Sequence, residues 1–278
     1  MVAIPPRPEQ QIVNRIYAAI EKIKINHDLY LGRLGSSFIG EDCVRQIWLN
    51  WRGFAREQFD GRMLRLFETG HLQEERIVED LRRAGFAVWD KREDGRQFEF
   101  IDETGHFITK VDGVVKDVPD SDKPHVLEVK THNKNSFEKL VKKGVQDAKP
   151  LHYAQVQISM ALGGFTHALY VAVCKDDEQF YVERVKEDKD YQEKLKTKIK
   201  KLVDAQLRPA GISDDATSFG CKFCSMKQVC TKEVAPLRHC RTCTMCSAGA
   251  EGKWVCNLNS YTLTLDEQRQ GCEHYEAL

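Results

Sequence analysis

The sequence has no surplus of positive charge: 42 Lys and Arg stand against 42 Asp and Glu, for a formal net charge of +0. The broad basic footprint that nucleic-acid binding usually leaves is therefore missing from the chain as a whole. Apolar runs long enough to cross a bilayer as a helix are missing too. So are internal repeats and low-complexity tracts. Met1 to Arg7 lacks the charged-then-apolar pattern of a secretory signal, so an intracellular, cytoplasmic protein is expected. Cysteine is nearly absent from the first 220 residues, yet 8 of the 10 cysteines follow them. In a reducing compartment that clustering favours metal binding over disulfides.

What is present describes a folded, soluble chain. Its 278 residues are 41% hydrophobic and 30% charged, enough for one large domain or a catalytic domain with a small appendage. Basic residues do gather locally, at Arg45, Arg52, Arg56, Arg62 and Arg65 and at Lys194, Lys196, Lys198, Lys200 and Lys201. The simplest reading of either run is a solvated helix face.

Helical spacing runs from Glu9 to about Lys24, from Glu41 to about Phe59 and from His71 to about Ala84, with Thr69-Gly70 as a break before the third. Strand-like alternation follows at Gln97–Ile101 and Phe107–Val115, with a turn at Glu103-Thr104-Gly105. Val126–Thr131 reads as a strand and Tyr153–Leu162 as a helix. Ala168–Val173 is apolar throughout, as a buried central strand would be. Gln179–Val185 is a further strand, and a charged helix fills Lys186–Leu207. Helices, then a hairpin, then strand-helix-strand predict a mixed α/β core.

The chemistry gathers at Val111-Asp112-Gly113 and Leu127-Glu128-Val129-Lys130. Alternate residues of a strand share a face, so Glu128 and Lys130 project together while Leu127 and Val129 enter the core. Asp112 comes from a neighbouring strand. Two carboxylates so placed can grip a divalent cation, which neutralises charge on a phosphate and lowers the pKa of water. A lysine beside them can orient that water or stabilise the transition state. A lone Glu-x-Lys is usually only the polar face of a half-buried strand, and Asp-Gly is also a turn signal. Two further features add weight. His71 and Glu75 stand four apart on one helix face, and imidazole suits Mn and other transition metals. Gln155 and Gln157 flank Val156 at the start of an apolar helix.

The order His71, Asp112, Glu128-x-Lys130 and Tyr153-x-Gln155-x-Gln157 resembles the PD-(D/E)XK nuclease superfamily. More narrowly it is similar to the RecB-like and YqaJ-like (lambda-exonuclease-like) exonucleases, over roughly residues 36 to 230. The resemblance implies a restriction-endonuclease-like core, a mixed central sheet flanked by helices. It implies Mg or Mn held by His71, Asp112, Glu128 and the Val129 carbonyl, with Lys130 as the catalytic lysine and Gln155 and Gln157 as the glutamine motif. RecB-like members often carry Gln-x-x-x-Tyr; here Ser159 follows Gln155, which fits the YqaJ-like variant better.

Cys221-x2-Cys224-x5-Cys230 supplies three thiolates, which select zinc or an iron–sulfur cluster. Cys43 is the candidate fourth, against the alternative of a buried structural thiol. One cysteine before the core and C-x2-C-x5-C after it resembles the iron–sulfur nucleases, among them the AddB nuclease domain and CRISPR-associated RecB-like exonucleases. That resemblance implies a [4Fe–4S] cluster, with zinc as the rival. A second set, Cys240-x2-Cys243, Cys256 and Cys272, has the look of a small zinc-ribbon-like module around Trp254 and Leu265. Cys246 or His274 could replace one of its four. Cys174 reads as core.

The expected organisation is a nuclease domain over 1–235, including the first cysteine set, and a cysteine-rich metal-binding module over 236–278. The expected activity is metal-dependent exonuclease cleavage of DNA, with a single-stranded end as partner. By family resemblance the context is recombination, repair or bacteriophage DNA processing, with recombination proteins and a homo-oligomer among the expected partners. Trp48, Trp51 and Phe223 are available as base-stacking platforms, although core packing is the first reading of each. The rivals are an endonuclease with the same site, a non-catalytic metal-stapled DNA- or protein-binding module, and a zinc-ribbon adaptor that recruits recombination partners.

Overall fold

The structure is a computed structural model and describes residues 8–24 and 31–278. Helix α1 (Pro8–Lys24) is followed by the short strand β1 (Leu34–Gly35), α2 (Val44–Arg52) and α3 (Gly61–Arg83). Strands β2 (Ala87–Trp89), β3 (Phe98–Ile101), β4 (Phe107–Val111), β5 (Gly113–Lys116) and β6 (His125–His132) come next. Helices α4 (Lys134–Ala148) and α5 (Pro150–Gly163) connect β6 to β7 (His167–Cys174), which turns back into β8 (Phe180–Lys186). After α6 (Lys189–Asp204) come the short helices α7 (Phe219–Lys222) and α8 (Lys227–Cys230). Three small strands, β9 (Cys246–Ala248), β10 (Trp254–Cys256) and β11 (Tyr261–Leu263), precede α9 (Leu265–Gln270). Among the described residues no helix is long and apolar enough to cross a membrane.

The fold is mixed α/β. The central sheet runs β2-β5-β6-β7-β8. Only β6 and β7 are parallel, joined by the α4–α5 crossover that a parallel pair requires. Residues of α3 pack one face of it, with Ile77 and Val78 against Leu127, Val129 and Val171. The opposite face carries Val126, Tyr170 and Ala172 beneath Phe137 and Leu140 of α4 and Val156 and Met160 of α5. A second sheet, β1-β4-β3, leans on α5. A third cluster joins α2, α5 and α6 to the C-terminal segment, through Trp48, Trp51, Ile158, Leu202, Trp254 and Leu263.

Several elements depart from the sequence reading. Residues 107–115, expected as one strand, divide into β4 and β5 at Asp112, each in a different sheet. Gly113 begins the new direction: a Cβ there would lie 2.8 Å from the Trp89 carbonyl oxygen of β2. The third helix begins at Gly61, ten residues before His71, and Thr69-Gly70 lies inside it. Asp60 starts it by accepting the Met63 N–H at 2.7 Å. The second helix ends early because Gly53 takes a left-handed conformation, φ +75°. The charged helix spans Lys189–Asp204, capped by Asp188, which accepts the Tyr191 N–H at 3.0 Å. Helix α4 was not expected. It kinks at Gly144 (φ +75°), where Glu183 of β8 accepts the Val145 N–H at 2.8 Å and so caps the second half.

Arg52 is not on a solvated face. It is 1% exposed and lies between the rings of Trp48 and Trp254, 4.8 and 5.2 Å from their centroids. Its Nε donates to the Arg241 carbonyl at 2.6 Å and its Nη2 to the Cys246 carbonyl at 2.7 Å. Arg241 in turn donates to the carbonyls of Leu31 and Gly32, at 2.6 and 2.7 Å. Two arginines thus join backbone separated by about 190 to 210 residues. Truncation of Arg52 removes a buried cation and leaves two carbonyls without donors. We predict that Arg52→Ala destabilises the protein by about 3 kcal/mol or more in urea unfolding and that Arg52→Lys recovers only part of it. A loss under about 1 kcal/mol would show that water replaces the guanidinium.

Candidate active site and cysteine clusters

Asp112 stands where the chain leaves one sheet for the next. Its backbone N–H still reaches the Leu127 carbonyl of β6 at 3.2 Å. Its Oδ2 accepts the Val129 N–H at 2.7 Å, so a carboxylate takes the place of a backbone acceptor on that ladder. This ties Asp112 between Leu127 and Val129, beside Glu128. Glu128 is 1% exposed, and its Oε1 accepts from the Lys130 ammonium. Its Oε2 is buried with no hydrogen-bond partner.

Burial sets the electrostatics here. It pushes Glu128 up to about 7, with Asp112 adding to the rise and Lys130 opposing it. Burial also raises Asp112, against Lys130 and the Val129 N–H. Lys130 would be lowered by its own burial, but Glu128 and Asp112 outweigh that and hold it raised and charged.

Of the α3 residues, His71 lines the cleft that opens over β6, a space of about 510 Å³, together with Glu74, Val129, Lys130, Lys175, Leu66 and Phe67. Glu75 is exposed and lies outside this lining. Its neighbour Glu74 takes the place expected of it. Burial and Asp112 raise the Glu74 carboxyl, and Lys130 and His71 oppose. Sequence reading missed Glu74, although it lies one turn before Ile77 and Val78, which face the sheet.

Two further histidines were also missed. His132 follows Lys130 by one strand period, on the same face. Its Nε2 is 3.2 Å from Tyr170 Oη, which also meets His152 Nδ1 at 2.7 Å. Burial and neighbouring lysines bring His132 down to about 4 and His152 to about 3, so both imidazoles are neutral at pH 7.

Gln157 does not join the carboxylates. It is fully buried; its Nε2 donates to the Lys186 carbonyl at 2.8 Å, and its Oε1 accepts from the Asp188 N–H at 3.0 Å and from Gln192 at 3.1 Å. It joins α5 to the start of α6, and both ends of its amide are committed there. Gln155 is half-buried, and its carbonyl accepts from Ser159 Oγ at 2.8 Å. Trp48 and Trp51 belong to the core, at 0% and 5% exposure, whereas Phe223 is exposed.

Cys43 precedes α2, Cys221 lies on α7, and Cys224 and Cys230 frame α8. All four line one cavity of about 160 Å³. Burial raises the Cys224 thiol, and Cys43, Cys230 and Cys221 add to the rise. Arg45 Nη1 lies 3.8 Å from Cys230 Sγ. In the C-terminal segment burial pushes Cys240 up to about 11, with Cys272, Cys243 and Cys256 contributing. All ten cysteines are free thiols. Among the described residues no three His, Cys, Asp or Glu side chains stand as a finished metal cage. Ligation at any of these places requires side chains to turn.

No family model matches the chain, and no curated protein does. Among solved structures, the alkaline exonuclease LHK-Exo of Laribacter hongkongensis is similar at 18% identity and a TM-score of 0.44, over 68% of this chain and 89% of that one. The same exonuclease in complex with dAMP gives 17% identity and 0.44 over the same shares. The crystal structure of SSO0001 gives 15% identity and 0.47, over 81% of this chain and 98% of that one.

The raised Glu128 carboxyl fixes a pH signature. A carboxyl whose pKa is higher folded than unfolded contributes stability that is full below about 4.5 and is lost as pH rises toward about 7. Glu128→Gln carries no such dependence. In chelator, the stability of Glu128→Gln minus that of wild type should increase between pH 5 and 8, by on the order of 1–3 kcal/mol. A difference that stays flat across that range, measured by urea unfolding, would contradict the burial argument.

Proposed function

We propose that the chain is a metal-dependent deoxyribonuclease, acting as an exonuclease, with its centre at Asp112, Glu128 and Lys130 and with Glu74 and His71 completing it from α3. The observation that carries this reading is the buried, unpartnered Glu128 Oε2 beside a second and a third carboxylate, all with raised pKa values. Clustered, desolvated carboxylates repel one another, and a divalent cation relieves that repulsion. The donor set is oxygen-rich with one imidazole at its rim, which suits Mg or Mn. The Val129 carbonyl is a further oxygen for the same ion.

A cation bound there supplies charge neutralisation at the phosphoryl group and a lowered pKa for an attacking water. The protein's own groups do the rest. Asp112, fixed by the Val129 N–H, and Glu128, against the Lys130 ammonium, would hold the ion beneath the cleft that Val129 and Lys130 line. Lys130, whose ammonium meets Glu128 Oε1, would present that ammonium to phosphate oxygens or to the incoming water. Lys175 adds a second positive charge on the cleft wall, while Leu66 and Phe67 give an apolar surface against which a base or sugar can lie. Neutral His132 and His152, with Tyr170, support the strand face beneath Lys130 without adding charge.

The first cysteine set belongs to the same reading. Four thiols from distant parts of the chain line one cavity, with Arg45 beside Cys230, a setting in which thiolates could gather around one metal centre. We infer an iron–sulfur cluster, with zinc as the alternative, at Cys43, Cys221, Cys224 and Cys230.

With Mn or Mg, wild-type protein should degrade end-labelled linear DNA and leave closed circular DNA intact. Asp112→Asn and Lys130→Ala should each lower the rate by on the order of 10²-fold or more. Equal, metal-independent inertness of wild type and variants would sink the enzyme reading, and cutting of the circle would move it to an endonuclease. Glu74→Gln should raise the Mn concentration for half-maximal rate by roughly 10- to 100-fold. An unchanged Mn requirement would remove Glu74 from the centre. Anaerobically purified protein should contain iron and acid-labile sulfide that Cys43→Ser abolishes. Zinc in their place would decide for the alternative, and neither metal would refute a metal centre there.

A further inference from the structure

The last 40 residues, His239 to Leu278, hold five cysteines and very little regular structure. Strands β9, β10 and β11 have three residues each, and α9 has six. Their apolar core amounts to Trp254 and Leu263, with a capping box at Thr264 and Glu267 to start α9. The segment's own share of that burial is small beside the cluster it shares with Trp48 and Trp51 and the bonds from Arg52, and cysteine-rich segments of this size commonly add a covalent or metal staple. No disulfide is present: all five of these cysteines are free thiols.

The local backbone is built around sulfur. Cys240 to Cys243 form a tight turn in which the Cys243 N–H donates to the Cys240 carbonyl at 2.9 Å. Two residues on, the Met245 N–H points at Cys243 Sγ, at 3.5 Å. The Cys240 thiol and the Gly271 N–H both donate to the Glu267 carbonyl, each at 3.3 Å, which sets Cys240 against the end of α9. A backbone donor aimed at sulfur, as at Cys243, holds the cysteine in a fixed rotamer. Gly271, just before Cys272, packs against His239, and Cys256 pairs across β9 and β10 with Cys246, whose N–H donates to the Cys243 carbonyl at 3.2 Å, so the backbone brings Cys272 and Cys256 to the Cys240–Cys243 turn. The remaining cysteine is differently placed. Cys246 is 3% exposed and pairs across β9 and β10 with Cys256; its neighbours are the guanidinium groups of Arg52 and Arg241 as well as the thiols of Cys240 and Cys243. Its carbonyl is the acceptor for Arg52. His274 is largely exposed, beside Glu273.

We propose that Cys240, Cys243, Cys256 and Cys272 form a structural four-thiolate site for one zinc ion, with Cys246 left in the core, and that this site closes the C-terminal segment onto α2. Four sulfur donors from a C-x2-C turn, a strand end and a loop suit zinc, which accepts tetrahedral thiolate ligation without redox chemistry. The thiols release their protons as the ion binds, and the side chains turn inward from their metal-free positions. The inference does not depend on the nuclease reading: zinc content and thiol protection are measured without DNA.

The test uses the full-length chain, purified without added metal. Native mass spectrometry and elemental analysis should give one zinc per chain that Cys240→Ser or Cys272→Ser removes. Cys246→Ala and Cys221→Ser should both keep it, the latter separating this site from the first cysteine set. Since a ligand variant can simply fail to fold, the wild type supplies a second readout. Cys272 is exposed and would alkylate at once as a free thiol. It should instead resist an alkylating reagent until a zinc chelator is added. Immediate alkylation of Cys272 in the folded protein would overturn the proposal. So would zinc retained in Cys272→Ser and lost in Cys246→Ala.

Discussion

The hydrogen bond from the Val129 N–H to Asp112 Oδ2 is the point on which the architecture turns. A strand that continued straight would carry β4 into the central sheet and bury Asp112 as an unpaired charge. Instead the backbone breaks at Asp112, β4 stays with β1 and β3, and β5 starts afresh against β6. The side chain fills the gap in the ladder, satisfying an N–H that has no backbone acceptor there. One carboxylate thereby separates two sheets and sits beside Glu128, beneath the cleft that Val129 and Lys130 line with residues of α3. Structure and candidate chemistry share a single interaction, so neither can change without the other.

The second constraint acts at long range. Arg52 and Arg241 bind the C-terminal segment to α2 and to the backbone before β1, and β1 pairs with β4, the strand that ends at Asp112. Their value is geometric more than electrostatic. A guanidinium can reach two carbonyls while its plane lies against indole rings, and a lysine cannot do both. The cysteine-rich segment is therefore continuous with the core that backs the site: Trp254 packs on Trp51 with ring centroids 5.1 Å apart, and both meet His106.

Much of the site was legible because strands impose a period of two. Glu128 and Lys130 could be assigned to one face of β6 from sequence alone, and the same rule reaches His132. Helix positions were harder. His71 lines the cleft, while Glu75, four residues on, is exposed outside it; the helix turns Glu74 inward because Ile77 and Val78 face the sheet. Gln157 shows the limit of motif reading. Its place in the sequence fits a catalytic glutamine, yet three hydrogen bonds commit its amide to the end of β8 and the start of α6, and no local pattern carries that information. Arg52 was read as surface for the same reason: its partners lie some 190 residues away. Helix α4 was overlooked because its apolar positions are sparse among lysines and its kink at Gly144 depends on Glu183, from a strand that follows it.

These elements differ in what they cost the fold. Three carboxylates with raised pKa values and one orphaned oxygen make the cleft a source of instability in the metal-free chain, which Lys130 only partly offsets. Proteins keep such unfavourable groupings where function requires them and support them elsewhere. Here the support is spread over features that never touch the cleft: the arginine–indole stack, the Glu183 cap on α4 and the Gln157 junction. A chain with a neutral overall balance can in this way concentrate negative charge in the cleft and still fold. A divalent cation at the carboxylates would then relieve the local repulsion. That links metal loading to stability as directly as to activity, and predicts that the apo protein is the less stable form even where its backbone is unchanged.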